Sequence, residues 1–546
     1  MDVSREWNRF TLQEKVSTFY YLKLHFMAEI QVLWVDDEIE SLQAQVIFLQ
    51  QKGYSVTAVS NGFDAIELVK RQFFDVVLMD ESMPGISGLQ TMQQLKEINK
   101  LLPVVLITRN DTERLMDEAI GSEIADYLIK PVNPQQVLLS LKKIIDNRRL
   151  VAETTTSQYQ QQMNQLFAQL HNNPDHQTWM EIYRKLVYWE LEMEKSDSPE
   201  MQEIFYAQKQ EANVAFGKFV SREYAGWLNP RSLSAPVMSH HLLSLKVLPH
   251  LQPGKPLFCV LIDNLRLDQW KAIEPLLAES FRIVEEDSFY SILPTATQYA
   301  RNAIFAGILP VAIQQQFPEY WKNDEEEGGK NLHELFFLQA QLKRLKKENL
   351  SVSYHKITHH QEGVQLAAQV HNLLHNDLNI IVYNFVDTLS HARTEMEILK
   401  ELAGDEASYR SLTRSWFEHS PLHLALKKLS EKNITLVLAT DHGSVRVKTP
   451  HKVIGDKQTT ANLRYKHGRN LQYEAKEVLA FREPSVAGLP TPTVNSSYIF
   501  AREDGFLCYP NHFHQYAQFY KNSFQHGGIS LEEMIIPVIR MESRGK

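Results

Sequence analysis

Residues Ile434 to Gly443 read ITLVLATDHG, a short β-branched apolar run that stops at an acid, an imidazole and a glycine. A run of this length, bounded by turn-forming residues, has the signature of a buried strand. In an open α/β sheet, ligands gather outside the carboxyl ends of the strands, which puts Asp441 and His442 where chemistry is done. Taken alone, an Asp-His pair in that place is also what a turn with a polar cap looks like.

The arrangement recurs with complementary side chains. Pro256 to Asp263, PLFCVLID, and Asn379 to Asp387, NIIVYNFVD, are further apolar runs that each end in an acid, and His391 follows the second. They predict strands with Asp263 and Asp387 at their ends. Gln525 to Glu533, QHGGISLEE, carries His526 in a glycine-containing loop able to approach a site closely. In Leu293 to Gly307, LPTATQYARNAIFAG, a threonine precedes a helical pattern, a place suited to a hydroxyl nucleophile or a phosphate. Arg301, four residues after Thr297 and on the same helix face, is a candidate for meeting a phosphate oxygen, with an ion-pair or surface role as the plain alternative.

The set Asp263, Thr297, Asp387, His391, Asp441, His442 and His526 resembles the two-metal site of the alkaline phosphatase superfamily, in particular its PglZ-type branch. The resemblance implies that Asp387, His391 and His526 hold one zinc ion and that Asp263, Asp441, His442 and Thr297 hold the other. It also implies a nucleophilic threonine: Thr297, with Thr295 as the fallback. Two ions ~4 Å apart can stabilise the attacking and leaving oxygens of an in-line displacement. A threonine hydroxyl activated there would pass through a phosphoryl- or nucleotidyl-threonine.

Length and composition bound the rest. A chain of 546 residues is too long for one core and predicts about three domains. With 43% hydrophobic and 23% charged residues and a net charge of -9, it reads as globular, and the acidic balance argues against a general nucleic-acid-coating protein. The two cysteines, Cys259 and Cys508, have no spacing that makes a disulfide framework or a thiolate metal site, which fits a reducing cytoplasm. No apolar run is long enough to span a bilayer, and residues 1–26 lack the pattern of a signal peptide, so a cytoplasmic protein is expected.

Residues 1–26 read as an upstream extension of little structural weight. After Met27 the pattern changes: QVLWV, SVTAV, FDVVLMD, PVVLIT and DYLIK are short apolar runs separated by helical-length stretches, the alternation of a parallel doubly wound sheet. Asp36 and Asp37 follow the first run, Asp80 ends the third, Thr108 the fourth and Lys130 the fifth. Such ends converge on one crevice, giving three carboxylates for a hard divalent ion and a hydroxyl and an ammonium for a phosphoryl group. This resembles a response-regulator receiver domain. The resemblance implies Asp80 as phosphoacceptor for a sensor histidine kinase, Asp36, Asp37 and Asp80 around magnesium, Thr108 and Lys130 on the phosphoryl group, and Tyr127 as the aromatic switch.

A helix is expected from Pro134 to about Arg149, after which the composition becomes Gln- and Asn-rich. Met163, Leu166, Phe167 and Leu170, then Ile182, Tyr183 and Leu186, then Phe219, Val220, Tyr224 and Trp227 keep helical spacing and predict a small helical bundle, either a relay between the flanking domains or a spacer. No helix-turn-helix with a basic face is present there, which counts against a DNA-binding effector. Proline-containing stretches at 229–236 and 252–256 lead into the last domain. Within it, most of 305–379 reads as an insertion over the site, with a helix expected from Asn331 to Asn349. The acidic run Asp324 to Glu327 reads as a solvated face. Arg446, Lys448, Lys452, Arg464, Lys466 and Arg469 follow Asp441, where a phosphate-rich substrate would need cations, and Tyr465 among them could stack on a base or sit at a rim.

The expected architecture is α/β multidomain: an extension 1–26, a doubly wound receiver domain 27–150, a helical bundle linker domain 151–235, and an alkaline-phosphatase-like α/β domain of PglZ type 236–546. The combination is similar to PorX-like response regulators of Bacteroidetes type 9 secretion systems. It implies a two-component regulator whose effector is a two-zinc phosphodiesterase or phosphatase, acting on nucleotide or oligonucleotide phosphodiesters, with a phosphorylation-dependent homodimer. The alternative is a signalling adaptor whose metal site is structural and which binds a sigma factor or secretion component.

Overall fold

The computed structural model describes residues 30–99, 102–109, 124–195, 199–229, 232, 234–324, 326–396, 400–401, 403–456, 459–493 and 495–544. The extension expected at 1–26 and the helix expected between the fourth and fifth receiver strands lie outside these residues. The chain divides into two compact units, Met1–Gln161 and Gln162–Lys546.

In the first unit, β1 (Ile30–Val35), α1 (Gln43–Gln51), β2 (Tyr54–Val59), α2 (Gly62–Arg71), β3 (Val76–Asp80), α3 (Gly88–Ile98), β4 (Val104–Thr108) and β5 (Asp126–Ile129) follow one another. The strands pair in parallel in the order β2-β1-β3-β4-β5, a doubly wound sheet. The apolar runs do not alternate with polar residues because both faces are covered. Val32, Trp34, Val76 and Leu78 enter one core, and Leu33, Val35, Val77 and Met79 the other. Asn61 caps α2, and Ser87 with Gln90 forms a capping box on α3, which sets where the helices begin.

Helix α4 runs Pro134–His171, beyond the end expected near Arg149. The Gln-rich continuation contains no glycine or proline before Pro174, and Asn173, at φ 48°, follows its end. Helices α5 (His176–Glu194) and α6 (Pro199–Trp227) follow and pack through Trp179 against Phe216 and Phe219.

The second unit is centred on a six-stranded sheet of β6 (Leu257–Ile262), β7 (Phe281–Tyr290), β8 (Val352–Ile357), β9 (Leu378–Tyr383), β10 (Thr435–Ala439) and β18 (Ile535–Ser543), in the order β7-β18-β10-β6-β9-β8. β10, β6, β9 and β8 are mutually parallel, and β18 is antiparallel to β10 and β7. The helices that bear on the site are α7 (Leu267–Ala278), α8 (Thr297–Ala306), α9 (Glu334–Arg344), α10 (Phe385–Glu395) and α11 (Glu406–Glu418). α9 is shorter than the expected 331–349. Between β10 and β18 lie small sheets that pair β11 (Val445–Arg446) with β17 (Phe524–Gln525), β12 (Thr449–Lys452) with β16 (Gly505–Cys508), and β13 (Tyr465–Gly468) and β14 (Val478–Phe481) with β15 (Ser497–Ala501). Among the described residues no helix is long and apolar enough to cross a membrane.

Candidate active site

β6 and β10 run side by side in parallel with Leu261 opposite Ala439, so their carboxyl ends are level and the residues just beyond, Asp263 and Asp441, meet. β9 flanks β6 with Tyr383 opposite Ile262. Asp387 does not end that strand: Asn384 leaves the extended conformation, and Asp387 stands in the first turn of α10, where His391 follows one helical turn later. This corrects the expectation of an acid at the strand end. The i,i+4 spacing instead brings His391 Nε2 to 3.5 Å from Asp387 Oδ2.

Pairing of β11 with β17, Val445 opposite Gln525, delivers His526 to the same place, where its ring stacks on His442 at 4.3 Å. His526 Nε2 is 3.4 Å from Asp387 Oδ1. Two ligand groups result, Asp387 with His391 and His526, and Asp263 with Asp441 and His442, each offering atoms within 4.8 Å of one another. Thr297, the first residue of α8, has its hydroxyl 3.3 Å from Asp263 Oδ1 and 3.0 Å from His442 Nε2. Most of the surrounding chain is buried, while Thr297 keeps part of its surface open. The unsatisfied amides of the α8 N-terminus add a field that favours an anion there.

Electrostatics make this a place for cations. Burial pushes the Asp441 carboxyl well up, helped by the Asp263 carboxylate, and does the same to Asp387. Burial acts to raise Asp263 as well, yet its carboxyl goes down, held there chiefly by the Arg301 guanidinium 3.0 Å away. Burial takes His442 down to about 4 and His526 down to about 3, so both imidazoles are neutral near pH 7, the state in which nitrogen ligates. Asp441 Oδ2 is buried with no hydrogen-bond partner. Clustered carboxylates, an orphaned oxygen and neutral imidazoles fit a pair of divalent ions with mixed nitrogen and oxygen ligands.

Neighbouring side chains have defined tasks. The Thr295 hydroxyl donates to Gly528 O at 2.9 Å and accepts from Gly527 N at 3.0 Å, so it holds the loop that carries His526. Gly527 sits at φ +121°, with the Tyr465 ring 2.5 Å from where a Cβ would be, so a side chain is excluded there. Arg301 shares the Thr297 face, as the spacing predicts, but its guanidinium binds Asp263 at 3.0 Å, Asn384 at 3.0 Å and Glu334 at 2.7 Å. The expected phosphate contact is thus replaced by a counter-charge beneath Asp263. Asn264, at φ 63°, donates to Asp387 Oδ1 at 3.3 Å, a contact that nothing in the sequence marked.

The basic stretch is only partly a free surface. Arg464 is fully buried against Glu533, and Lys466, buried with its ammonium on Thr460 O, is pushed down to about 8. Tyr465 is buried, its hydroxyl on Asp324 at 3.0 Å, which argues against stacking on a base. Asp324 also meets Tyr299 at 3.0 Å and His467 at 3.1 Å, so the start of the acidic run is bound and not a solvated face. Lys448 and Lys452 are exposed, Arg469 is exposed but paired with Asp456 at 3.2 Å, and Arg446 Nε is buried without a hydrogen-bond partner.

In the first unit, Asp36, Asp37 and Asp80 offer oxygens within 4.8 Å of one another. Lys130 Nζ lies 2.9 Å from both Asp36 Oδ2 and Asp80 Oδ2. Burial, with the Asp36 carboxylate beside it, pushes the Asp80 carboxyl up against the pull of Lys130, and Asp80 Oδ1 is buried with no hydrogen-bond partner, which suits a hard cation. Thr108 donates to Glu81 Oε2 at 3.0 Å, and Tyr127 on β5 is 45% exposed.

Comparison with known proteins assigns most of the chain to three domain families. Residues 32–142 match the response regulator receiver domain, 149–228 the PorX response regulator linker domain, and 242–541 the BREX system PglZ alkaline phosphatase-like domain. Relatives of the receiver segment include the transcriptional regulatory protein ZraR of Klebsiella oxytoca, 33% identical over 135 residues, 24% of this chain and 30% of that protein. ResD of Bacillus subtilis is 28% identical over 117 residues, 21% of this chain and 48% of that protein. The chain spans less than half the length of these relatives. A solved structure of Vibrio cholerae chemotaxis protein CheY4 has 28% identity, covers 21% of this chain and 99% of its own, and has a TM-score of 0.21. A receiver domain implies phosphorylation by a sensor histidine kinase and a bound magnesium ion, and the alkaline phosphatase-like superfamily consists of metalloenzymes, which suggests hydrolase activity. Receiver, linker and PglZ domain follow one another in the order of a PorX-like response regulator, and with more than half its length matched the chain belongs to the PglZ alkaline phosphatase-like family.

Proposed function

We propose that the chain is a two-component response regulator whose effector is a two-zinc phosphodiesterase or phosphatase with Thr297 as nucleophile. The observation that carries this is the meeting of two three-residue ligand groups with one partly open threonine hydroxyl at the N-terminus of a helix. Zinc ions bound by Asp387, His391 and His526 and by Asp263, Asp441 and His442 would supply Lewis acidity for the phosphoryl oxygens and for the threonine hydroxyl. Thr297 Oγ1 attacks phosphorus in line, its proton passing to solvent, while the bond to the leaving oxygen breaks on the opposite side and that oxygen takes a proton from solvent to depart as the alcohol. Water then attacks phosphorus of the phosphoryl- or nucleotidyl-threonine, giving its proton to solvent, to release the product and restore the threonine hydroxyl. Arg301 keeps Asp263 ionised, Thr295 holds the His526 loop, and the α8 amides favour the anionic substrate.

Nucleotide or oligonucleotide phosphodiesters are the proposed substrates, a reading supported by the exposed Lys448 and Lys452 and by the Arg446 Nε, which lacks a hydrogen-bond partner, on the strand beside His526. Phosphorylation of Asp80, with magnesium on Asp36, Asp37 and Asp80 and with Thr108, Lys130 and Tyr127 responding, is proposed to drive a cytoplasmic homodimer that regulates type 9 secretion. The working division is an extension 1–26, receiver 27–150, helical bundle 151–235 and PglZ domain 236–546. Turnover of zinc-loaded protein on phosphomonoesters, phosphodiesters and short oligonucleotides tests the reading. Hydrolysis of diesters supports it, and binding of zinc with no turnover on any of them would instead favour the adaptor that docks a sigma factor or secretion component.

A further inference from the structure

Helices α5 and α6 bring charge into the interior beneath the candidate site. Lys209 of α6, 8% exposed, lies 2.7 Å from Glu190 of α5 and 2.9 Å from Glu532. One helical turn on, Asn213 donates to Glu532 Oε2 at 3.1 Å and accepts from Leu531 N at 2.8 Å, so α6 grips this segment twice. The grip reaches the His442 loop directly. Gly443 N donates to Glu533 O at 3.2 Å, and a Cβ on Gly443 would stand 2.0 Å from Glu532 O, so that backbone lies flat on the segment α6 holds.

From Glu190 the network continues to the other loops. Glu190 meets Arg410 at 3.1 Å, Arg410 meets Asp268 at 2.6 Å, and Asp268 meets Arg266 at 2.5 Å. Arg266 follows Asp263 by three residues, reaches Ser444 O at 3.5 Å just past His442, and lies over the ring of Phe524 just before His526. The far end of α6 holds the nucleophile loop, because the Tyr224 hydroxyl accepts from Leu293 N at 2.7 Å. Buried charges linked in this way need every partner, since an unpaired one left in the interior is strongly unfavourable. A spacer would need none of them.

We propose that α6 is a positioning strut of the active site, with Lys209 and Asn213 setting the His442 and Asp263 loops through Glu532, Glu190 and Arg266, and with Tyr224 setting the loop before Thr297. The inference rests on the reading of those loops as metal-binding and nucleophilic. The helical segment is therefore part of the catalytic machinery's support and not a linker in the ordinary sense.

The test uses the full chain. Lys209→Met combined with Glu190→Gln removes the pair and leaves Glu532 with Asn213 as its side-chain partner, Lys209→Arg is the conservative control, and Tyr224→Phe addresses the other end. Hydrogen exchange in metal-free protein, well below the melting temperature, is read first. The double variant is expected to raise exchange at least about tenfold in residues 263–268 and 441–446, Tyr224→Phe is expected to do so at 291–297, and Lys209→Arg is expected to stay close to wild type. Zinc titration and turnover follow: the double variant is expected to bind zinc about 10–100-fold more weakly, and Tyr224→Phe to lower kcat with KM and zinc affinity little changed. Unchanged exchange in these segments in a folded double variant would overturn the strut. A wild-type protein that shows the exchange differences but binds no zinc and hydrolyses no phosphoester would leave the strut standing and sink the proposed function. If the double variant does not fold, Asn213→Leu with Lys209 intact puts the same question to the same segment.

Discussion

The chain carries two acid clusters that face opposite problems. In the receiver, Asp36, Asp37 and Asp80 are all oxygen donors at strand ends of one sheet, and Lys130 already supplies a positive charge 2.9 Å from two of them. That ammonium offsets part of the acid charge, and the remaining oxygens suit a hard divalent ion. In the PglZ unit, carboxylates and imidazoles are gathered from strand ends, a helix and a late loop, and the Asp263, Asp441 and His442 group is fully buried. The difference teaches that strand ends of one sheet are enough to gather oxygen donors, whereas a mixed set of carboxylates and imidazoles needs a scaffold that draws on strand ends, a helix and a late loop together.

The largest break in that contrast comes from removing the hydroxyl. Thr297→Ala is expected to lower turnover of a chromogenic phosphodiester by at least about a thousandfold while both ligand groups keep their ions, as metal analysis on the same sample would show. Near wild-type turnover would remove Thr297 from the mechanism. Thr295 would then be the next candidate, although its hydroxyl is engaged at both Gly527 and Gly528. Arg301→Ala attacks the counter-charge. It leaves Asp263 buried without its cation, while Glu334 keeps Lys356 at 2.9 Å, and in metal-free protein this should cost about 3–5 kcal/mol of stability. Zinc should narrow the gap, since a bound cation restores the lost positive charge. Thermal melts with and without zinc decide it, and an equal loss in both states would mean that Arg301 serves packing alone.

His442→Ala should weaken zinc binding about a hundredfold, because water replaces a buried imidazole nitrogen poorly. Equilibrium titration is the measurement, and two tightly held ions in that variant would sink the assignment of His442. The receiver pocket on the same chain is the internal control: its magnesium affinity should not move.

How far these sites could be read in the sequence depended on whether a local rule governed them. Asp263, Asp441, Asp80 and Thr108 were legible because a buried parallel strand is an unbroken apolar run and its carboxyl end is where such a run stops. Asp387 sits one element later than the apolar pattern suggests. NIIVYNFVD is apolar throughout, so hydrophobicity cannot show that the strand ends at Tyr383 and that α10 begins at Phe385. Helix α4 outruns the end expected near Arg149 because a change to Gln-rich composition is no stop signal for a helix. Arg464 and Lys466 are expected to serve a phosphate-rich substrate and Asp324 to lie on a solvated face, yet Arg464 is bound by Glu533 and Asp324 by Tyr299, both from other segments, while Lys466 turns inward onto Thr460, and charge in sequence shows none of this. The same holds for Glu190, Lys209 and Arg410, whose network closes only in the fold.

The smallest expected effect is the one that links receiver phosphorylation to the effector's activity. Phosphorylation of Asp80 would add charge beside Asp36 and Asp37, which a divalent ion together with Lys130 can offset. Thr108 now gives its hydroxyl to Glu81 at 3.0 Å, so engaging a phosphoryl oxygen requires it to leave that carboxylate, and the exposed Tyr127 has room to follow. A rearrangement of this kind remodels a receiver surface suited to pairing. Beryllofluoride with magnesium is therefore expected to shift the protein from monomer toward a two-fold dimer, and to change turnover by the few-fold to hundredfold that a coupling of about 1–3 kcal/mol allows. Asp80→Ala should abolish both responses and leave basal hydrolysis intact, because no proposed zinc ligand lies in the receiver. Light scattering and turnover are measured with and without the mimic. A dimer that forms equally well in Asp80→Ala would mean that the oxygen-only pocket does not control assembly, and a turnover that ignores dimerisation would mean that the two acid clusters work independently on one chain.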